Sequence, residues 1–161
     1  MDPATLCPLT AGEIVESVAA MRGEAVQFLQ ALVREPSLLG HEQSAQALMK
    51  QRFGALGLDV RELRIDEAAL KGHPGYSPSI VPYDGRVNVI GVHEPRAVRG
   101  RSLILNGHID VVPVGAERLW TRPPFEPWID GDRLHGGDDL VGGDGAEGGR
   151  VHGGSWRLRR A

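Results

Sequence analysis

The feature that most constrains this chain is an apolar run that ends in polar residues, Leu-Ile-Leu-Asn-Gly-His-Ile-Asp at 103–110. Branched apolar residues in a short run are typical of a buried strand, and Asn106-Gly107 marks its end. Open α/β sheets bind their ligands at the carboxyl ends of the strands. The run therefore predicts a central strand that delivers His108 and Asp110 to a functional site.

His108 and Asp110 are spaced so that their side chains can meet. Residues two apart in an extended segment project from the same side of the backbone. A carboxylate beside an imidazole fixes its tautomer and makes it a better metal ligand. On spacing alone, a loop hydrogen bond explains a single His-x-Asp more often than a metal site does.

Two amphipathic helices are predicted before the first strand. The first follows a capping box formed by Thr10 and Glu13 and ends before Pro36. The second follows a turn at 37–42 and has Gly57 as its C-cap. The apolar residues predicted to face the core are Ile14, Val18, Met21, Ala25, Phe28, Leu29, Leu32 and Val33 in the first helix, and Ala45, Leu48, Met49, Phe53 and Leu56 in the second.

Strand patterns alternate with these helices. Strands are predicted at 58–65 and 87–93, separated by a glycine- and proline-rich loop at 71–86. A hairpin is predicted at 129–134, with Asp130-Gly131 as its turn because this dipeptide tolerates positive φ. The predicted fold class is α/β, with a mixed sheet flanked by helices and a flexible carboxyl-terminal tail.

Composition excludes several classes of function. The chain has 161 residues, of which 41% are hydrophobic, enough for one domain with a core. A net charge of -3 argues against a nucleic-acid partner. The single cysteine, Cys7, fits a reducing compartment, and residues 1–12 lack the pattern expected of a signal peptide, while no run approaches the length needed to cross a membrane. We therefore expect a cytoplasmic protein without a membrane partner.

Three ordered motifs carry a resemblance to a known family. They are Leu-Asn-Gly-His-Ile-Asp-Val-Val-Pro-Val-Gly at 105–115, Leu-Trp-Thr-Arg-Pro-Pro-Phe-Glu-Pro at 119–127, and Gly-Asp-Arg-Leu-His-Gly at 131–136. Residues 13–136 resemble the zinc-dependent deacetylase and carboxypeptidase family, which includes acetylornithine deacetylase, succinyl-diaminopimelate desuccinylase, aminoacylases and glutamate carboxypeptidases. The resemblance implies hydrolysis of amide bonds in N-acylated amino acids at two zinc ions, and homodimers in the full-length proteins. Dipeptides or formylated amines are the alternative substrate class.

The resemblance also assigns roles to residues. His108 would bind one zinc ion, and Asp110 would orient its imidazole. In the simplest alignment, Val141 stands where the family has an aspartate that bridges the two ions. If two residues are deleted from the alignment, Asp139 takes that position and is the candidate metal ligand. Asp138 and Asp144 are the alternatives. The two ions together would polarise the amide carbonyl and lower the pKa of a bound water.

Most of the remaining catalytic residues of the family have no counterpart in this chain. Its general-base glutamate, further acidic ligands and final histidine come from later sequence; Glu147 is too close to Asp139 to be that base, and His152 lacks a matching context. We therefore expect a truncated, inactive enzyme. The alternative is a non-catalytic interaction module or one half of a split enzyme.

The sequence changes character after residue 136. The last 26 residues contain nine glycines and no hydrophobic period, a composition typical of a flexible tail. The predicted organisation is a partial metallopeptidase-like catalytic domain at 1–136 and a glycine-rich tail at 137–161. A frameshift in a GC-rich gene is one hypothesis for the tail.

Overall fold

The computed structural model describes residues 9–97, 101–136 and 156–157, the last two by their backbone alone. These residues form two compact units. The first is named the α1 unit after helix α1, Ala11–Ala20, and comprises the described residues of Met1–Arg34, Pro95–Gly107 and Ala116–Ala161. The second is named the α3 unit after helix α3, Gln43–Ala55; it comprises Glu35–Glu94 and His108–Gly115 and contains the candidate pair His108 and Asp110.

The first helix of the α1 unit begins at the predicted capping box. Helix α1 spans Ala11–Ala20; the Thr10 hydroxyl accepts from the backbone N–H of Glu13, and the Glu13 carboxylate accepts from the backbone N–H of Thr10 at 2.7 Å. The backbone N–H and the hydroxyl of Thr10 both donate to Glu13, which lowers the pKa of that carboxyl. The cap prediction is confirmed.

The single helix predicted up to Pro36 is instead two helices. Helix α2 spans Arg22–Val33, and Met21, with φ -80° and ψ -6°, separates it from α1. The core-facing prediction is wrong for α1, because Ile14, Val18 and Met21 are 45%, 59% and 53% exposed. Helical spacing places residues on one face, but a face is buried only where another element covers it.

The predicted hairpin is confirmed. Strand β3 spans Trp128–Asp130 and pairs antiparallel with β4, which spans Arg133–His135. Its turn is one residue later than predicted: Gly131, at φ +57°, and Asp132 are the central residues. Leu134 is fully buried, and the rings of Trp128 and His135 stack 4.8 Å apart.

One part of the sequence predicted to be a flexible tail belongs to this sheet. Residues Trp156–Arg157 form strand β5, which pairs antiparallel with β4. Because β4 already pairs with β3 on one side, its other edge offers unpaired backbone groups that a further segment can satisfy. For these two residues the flexible-tail prediction is wrong; the other residues of 137–161 lie outside the described part of the chain.

The α3 unit packs one helix on a two-stranded antiparallel sheet. Helix α3 spans Gln43–Ala55, β1 spans Asp59–Arg64 and β2 spans Val87–Val92. Gly57 follows α3 at φ +74°, as a C-terminal cap requires. Ala45 of α3 is fully buried, and Phe53 lies against Gly91 of β2. The predicted second helix and both strands are confirmed, but Leu56, which was predicted to face the core, is 57% exposed.

Between β1 and β2 the chain is mostly irregular, as predicted for 71–86. A short helix α4, Glu67–Leu70, precedes this loop. The Tyr76 hydroxyl donates to Glu67 at 2.9 Å, and this hydrogen bond raises the pKa of Tyr76. The loop is therefore tied back to α4.

The prediction of a central buried strand at 103–105 is wrong. Leu103, Ile104 and Leu105 are 80%, 88% and 87% exposed and belong to neither sheet. An apolar run indicates a tendency to be buried, but a strand also needs neighbouring strands to pair with. The predicted mixed sheet is accordingly replaced by two small antiparallel sheets, β1-β2 and β3-β4-β5. Mixed α/β secondary structure is what remains of the predicted fold class.

No described helix is long and apolar enough to cross a membrane.

The contact between α3 and β2 predicts an effect of Gly91→Ala. A Cβ atom at Gly91 would lie 2.7 Å from Leu58 Cδ1 and 2.9 Å from Phe53 Cδ2. We expect the free energy of unfolding of the α3 unit to fall by about 2 kcal/mol, because overpacking displaces the ring. Amide hydrogen exchange of β1 and β2 measures this change.

Gly54→Ala is the matched control on the same interface element. A Cβ atom at Gly54 would meet nothing within 4 Å, and alanine is the better residue inside a helix. This variant is expected to stabilise the unit by up to about 1 kcal/mol. Equal effects of the two variants would contradict the packing argument.

Candidate functional site

His108 and Asp110 contact each other through the imidazole. His108 Nδ1 lies 3.2 Å from Asp110 Oδ1 and 3.1 Å from the backbone oxygen of Asp110. A carboxylate and a carbonyl oxygen only accept hydrogen bonds, so Nδ1 carries the proton and donates to both. The neutral imidazole then has its lone pair on Nε2.

The imidazole is turned toward solvent. The side chain of His108 is 84% exposed and that of Asp110 is 46% exposed. A histidine whose Nδ1–H is held by a carboxylate, with Nε2 accessible, has the arrangement seen in zinc-ligating histidines. His108 therefore has the donor atom and the carboxylate partner expected of one ligand of a zinc site.

The backbone on either side of Asp110 is anchored by Ser37. The Ser37 hydroxyl donates to the backbone oxygen of Ile109 at 2.7 Å, and the backbone oxygen of Ser37 accepts from Val111 N–H at 2.9 Å. Leu38 and Val111 form a parallel bridge at this point. Ser37 itself is only 3% exposed. A buried serine thus connects the start of the α3 unit to the segment that carries the candidate pair.

A second buried polar residue lies five positions later, in the same turn before α3. Glu42 is 7% exposed and forms a bidentate ion pair with Arg86, with Nη2–Oε1 at 2.7 Å and Nε–Oε2 at 3.1 Å. Gly40 N–H also donates to its carboxylate at 2.9 Å. The guanidinium lies over the Tyr83 ring, 5.4 Å from its centroid.

Opposing effects act on the Glu42 carboxyl. Burial raises its pKa, but the backbone N–H groups of Gly40 and Glu42 and the Arg86 guanidinium together outweigh burial, so the pKa is lowered. The carboxylate is therefore held ionised as a partner for Arg86. Its contacts are internal to the fold, so we assign Glu42 a structural role.

A complete metal site is not assembled by the described residues. Within 9–97, 101–136 and 156–157, no three His, Cys, Asp or Glu side chains converge so as to hold a metal ion. The candidate bridging ligand Asp139 and the alternatives Asp138 and Asp144 lie outside the described residues, as do Glu147 and His152. The structure thus brings together His108 and Asp110 and does not test the other ligands.

The aromatic and proline-rich loop has its own local structure in the α1 unit. Glu117 and residues 120–126 line a shallow depression, and Arg122 lies over the Trp128 ring, 5.3 Å from its centroid. Pro124 and Pro127 are buried. The buried prolines and the contact between Arg122 and Trp128 connect this surface loop to strand β3.

Sequence reasoning missed the roles of Ser37, Glu42 and Arg86. The sequence shows Ser37 and Glu42 only as polar residues in a turn, where exposure is usual. Their partners are 72 and 44 residues away, so no local pattern marks them. The one available signal was an arginine, Arg86, directly before an apolar strand.

The described residues thus form a chain of mixed α/β secondary structure that carries the histidine–carboxylate pair His108 and Asp110. The chain is similar to succinyl-diaminopimelate desuccinylase from Caulobacter sp. (strain K31), with 27% identity over 113 residues. The match covers 70% of this chain and 24% of the relative, so the chain spans about a quarter of the relative's length. No family model matches the chain. The similarity supports a distant relationship to the hydrolase family that the motifs resemble.

Proposed function

We propose that this chain carries part of a metal-dependent hydrolase that cleaves amide bonds in N-acylated amino acids or related small molecules. The observation that carries the proposal is the His108–Asp110 contact, in which Nδ1–H is donated and Nε2 is exposed. The distant similarity to a desuccinylase supports the same reaction class. Dipeptides and formylated amines are the alternative substrates.

In this proposal each residue of the pair has one task. His108 would hold a zinc ion, and Asp110 keeps the proton on Nδ1 so that Nε2 stays available as a donor atom. Zinc, when bound, supplies Lewis-acid activation of the amide carbonyl and of water. Asp139 would be a further ligand.

We further propose that the chain has no turnover by itself. A metal site needs several converging ligands, and the described residues supply one imidazole with its orienting carboxylate. The proposed general base and remaining ligands would come from a part of the protein that corresponds to the unmatched length of the relative.

The test is zinc analysis of the purified chain and of His108→Ala after dialysis. We expect any zinc retained by the wild type to fall at least tenfold in His108→Ala, because the loss of a ligand removes most of the affinity of an incomplete site. His73→Ala is the matched control: His73 is also an exposed histidine of the α3 unit, but its Nδ1 accepts from Gly75 N–H. Equal zinc in wild type and His108→Ala would overturn the role of His108.

A second candidate function is favoured by the exposed run 103–105. Its three apolar residues are 80–88% exposed, which suits an interaction module or one half of a split enzyme. In that case the isolated chain hydrolyses neither N-acetylornithine nor N-succinyl-diaminopimelate. For one half of a split enzyme, hydrolysis then appears when the chain is mixed with the separately expressed carboxyl-terminal part of a desuccinylase, whereas an interaction module gives no hydrolysis in either case.

A further inference from the structure

We propose that Ser37 is a positioning residue that holds the His108–Asp110 pair in its ligating arrangement. The starting observation is that Ser37 makes two hydrogen bonds to the segment, one on each side of Asp110. The candidate pair is itself exposed, whereas Ser37 is buried in the α3 unit. The proposal deepens the proposed function, but its first test needs no metal.

The two hydrogen bonds act on the two peptide planes that meet at Asp110. The Ile109 oxygen belongs to the plane that ends at Asp110 Cα, and the Val111 N–H belongs to the plane that contains the Asp110 oxygen. Ser37 Oγ holds the first plane at 2.7 Å, and Ser37 O holds the second at 2.9 Å. With a hydrogen bond on each plane, the φ and ψ angles of Asp110 are restrained.

This restraint reaches the imidazole directly. The Asp110 backbone oxygen, 3.1 Å from His108 Nδ1, lies in the plane held by Ser37 O, and the Asp110 side chain projects from the restrained Cα. Both acceptors of the Nδ1 proton therefore depend on Ser37. If the planes rotate, His108 loses the hydrogen bonds that select its tautomer.

The variant Ser37→Ala removes the hydroxyl bond to Ile109 and leaves the backbone bond to Val111. We expect the His108 tautomer to change from predominantly Nδ1–H toward a mixture with Nε2–H. Two-bond ¹H–¹⁵N correlation spectra distinguish the two nitrogens, and they are recorded on metal-free protein at about pH 9, well above the usual histidine pKa of about 6.5. His73 is the internal reference, since its Nδ1 accepts a hydrogen bond and its proton must lie on Nε2.

Two matched variants separate positioning from general loosening. Ser37→Thr keeps the hydroxyl and should retain the wild-type tautomer of His108. Ser79→Ala removes a comparable serine hydroxyl in the same unit, one that donates to the Val81 backbone oxygen at 2.6 Å, and should leave His108 unchanged. Amide hydrogen exchange of β1 and β2 shows whether each variant is folded. If Ser37→Ala unfolds, Ser37→Cys takes its place, because a thiol is similar in size to the hydroxyl but a weaker hydrogen-bond donor.

The second readout is zinc affinity, expected to fall about tenfold in Ser37→Ala, as for other groups that orient a metal ligand. An unchanged His108 tautomer in Ser37→Ala, or an equal change in Ser79→Ala, would overturn the proposal. A wild type that binds no zinc, combined with the expected tautomer change, would leave Ser37 as the positioning residue and defeat the proposed zinc-ligand role of His108 in the isolated chain instead.

Discussion

Glu42→Gln is expected to lower the free energy of unfolding of the α3 unit by about 3 kcal/mol, because it leaves the Arg86 guanidinium without its carboxylate. The side chains of Arg86 and Glu42 are only 19% and 9% exposed. Arg86 Nη1 is already buried without a hydrogen-bond partner among the described residues. The guanidinium therefore has little water or protein to compensate for the lost charge.

Glu62→Gln provides the matched comparison, since Lys50 and Glu62 form an ion pair of similar length in the same unit. Their Nζ–Oε1 distance is 2.9 Å, but the side chains are 52% and 44% exposed. Exposed pairs contribute little, so this variant should cost less than about 1 kcal/mol. Amide exchange of β1 and β2 measures both variants, and equal losses would contradict the assignment of the Glu42–Arg86 pair as a buried anchor.

The same pair predicts a pH dependence of stability. The pKa of Glu42 is lowered in the fold from its ordinary value of 4.5. Its contribution is therefore fully present above pH 4.5 and is lost as the pH falls through the lowered pKa. Wild-type protein should lose this stability on acidification, and Glu42→Gln should lack that part of the pH profile.

The elements that the sequence predicted well are those specified by neighbouring residues. Thr10 and Glu13 are three residues apart, and their capping box determines where α1 begins. Gly57 ends α3, and Gly131 allows the turn between β3 and β4. In each case the residues that determine the structure lie within one turn of chain, where spacing and φ requirements are readable.

The elements that the sequence did not predict depend on distant partners. The apolar pattern of 103–105 indicates burial but does not specify what covers it, and the run is exposed. Trp156–Arg157 pairs with β4 from more than 20 residues away, in a segment whose composition predicts flexibility. Pairing of this kind is decided by tertiary context, which composition does not encode.

The candidate site likewise has one feature that depends on neighbouring residues and one that depends on a distant residue. The contact between His108 and Asp110 follows from a spacing of two residues and was predictable in outline. The anchoring of that contact by Ser37 joins positions 72 residues apart and required the fold. The chemistry of the pair could therefore be inferred from the sequence, whereas the means of holding it in place could not.

Gly136→Ala is expected to destabilise the α1 unit by about 3 kcal/mol, through backbone strain and overpacking together. Gly136 has φ +145°, and a Cβ atom there would lie 2.6 Å from Val33 Cγ1 and 3.3 Å from Pro127 Cα. The Pro127 contact is with backbone, which cannot rotate away as a side chain does. Denaturant unfolding followed by tryptophan fluorescence measures the loss, because Trp128 lies in the adjacent strand β3.

Gly131→Ala separates the two causes in the same unit. Gly131 also has positive φ, +57°, but a Cβ atom there would meet nothing within 4 Å. The free energy of unfolding should fall by about 1 kcal/mol, because only the left-handed backbone conformation is unfavourable for alanine.

Adding Val33→Ala to Gly136→Ala should remove the contact with Val33 and recover only part of the lost stability, because the Pro127 contact and the backbone strain remain. Full recovery in this double variant would show that neither the Pro127 contact nor the backbone strain has an effect. Equal losses for Gly131→Ala and Gly136→Ala would show that overpacking contributes nothing.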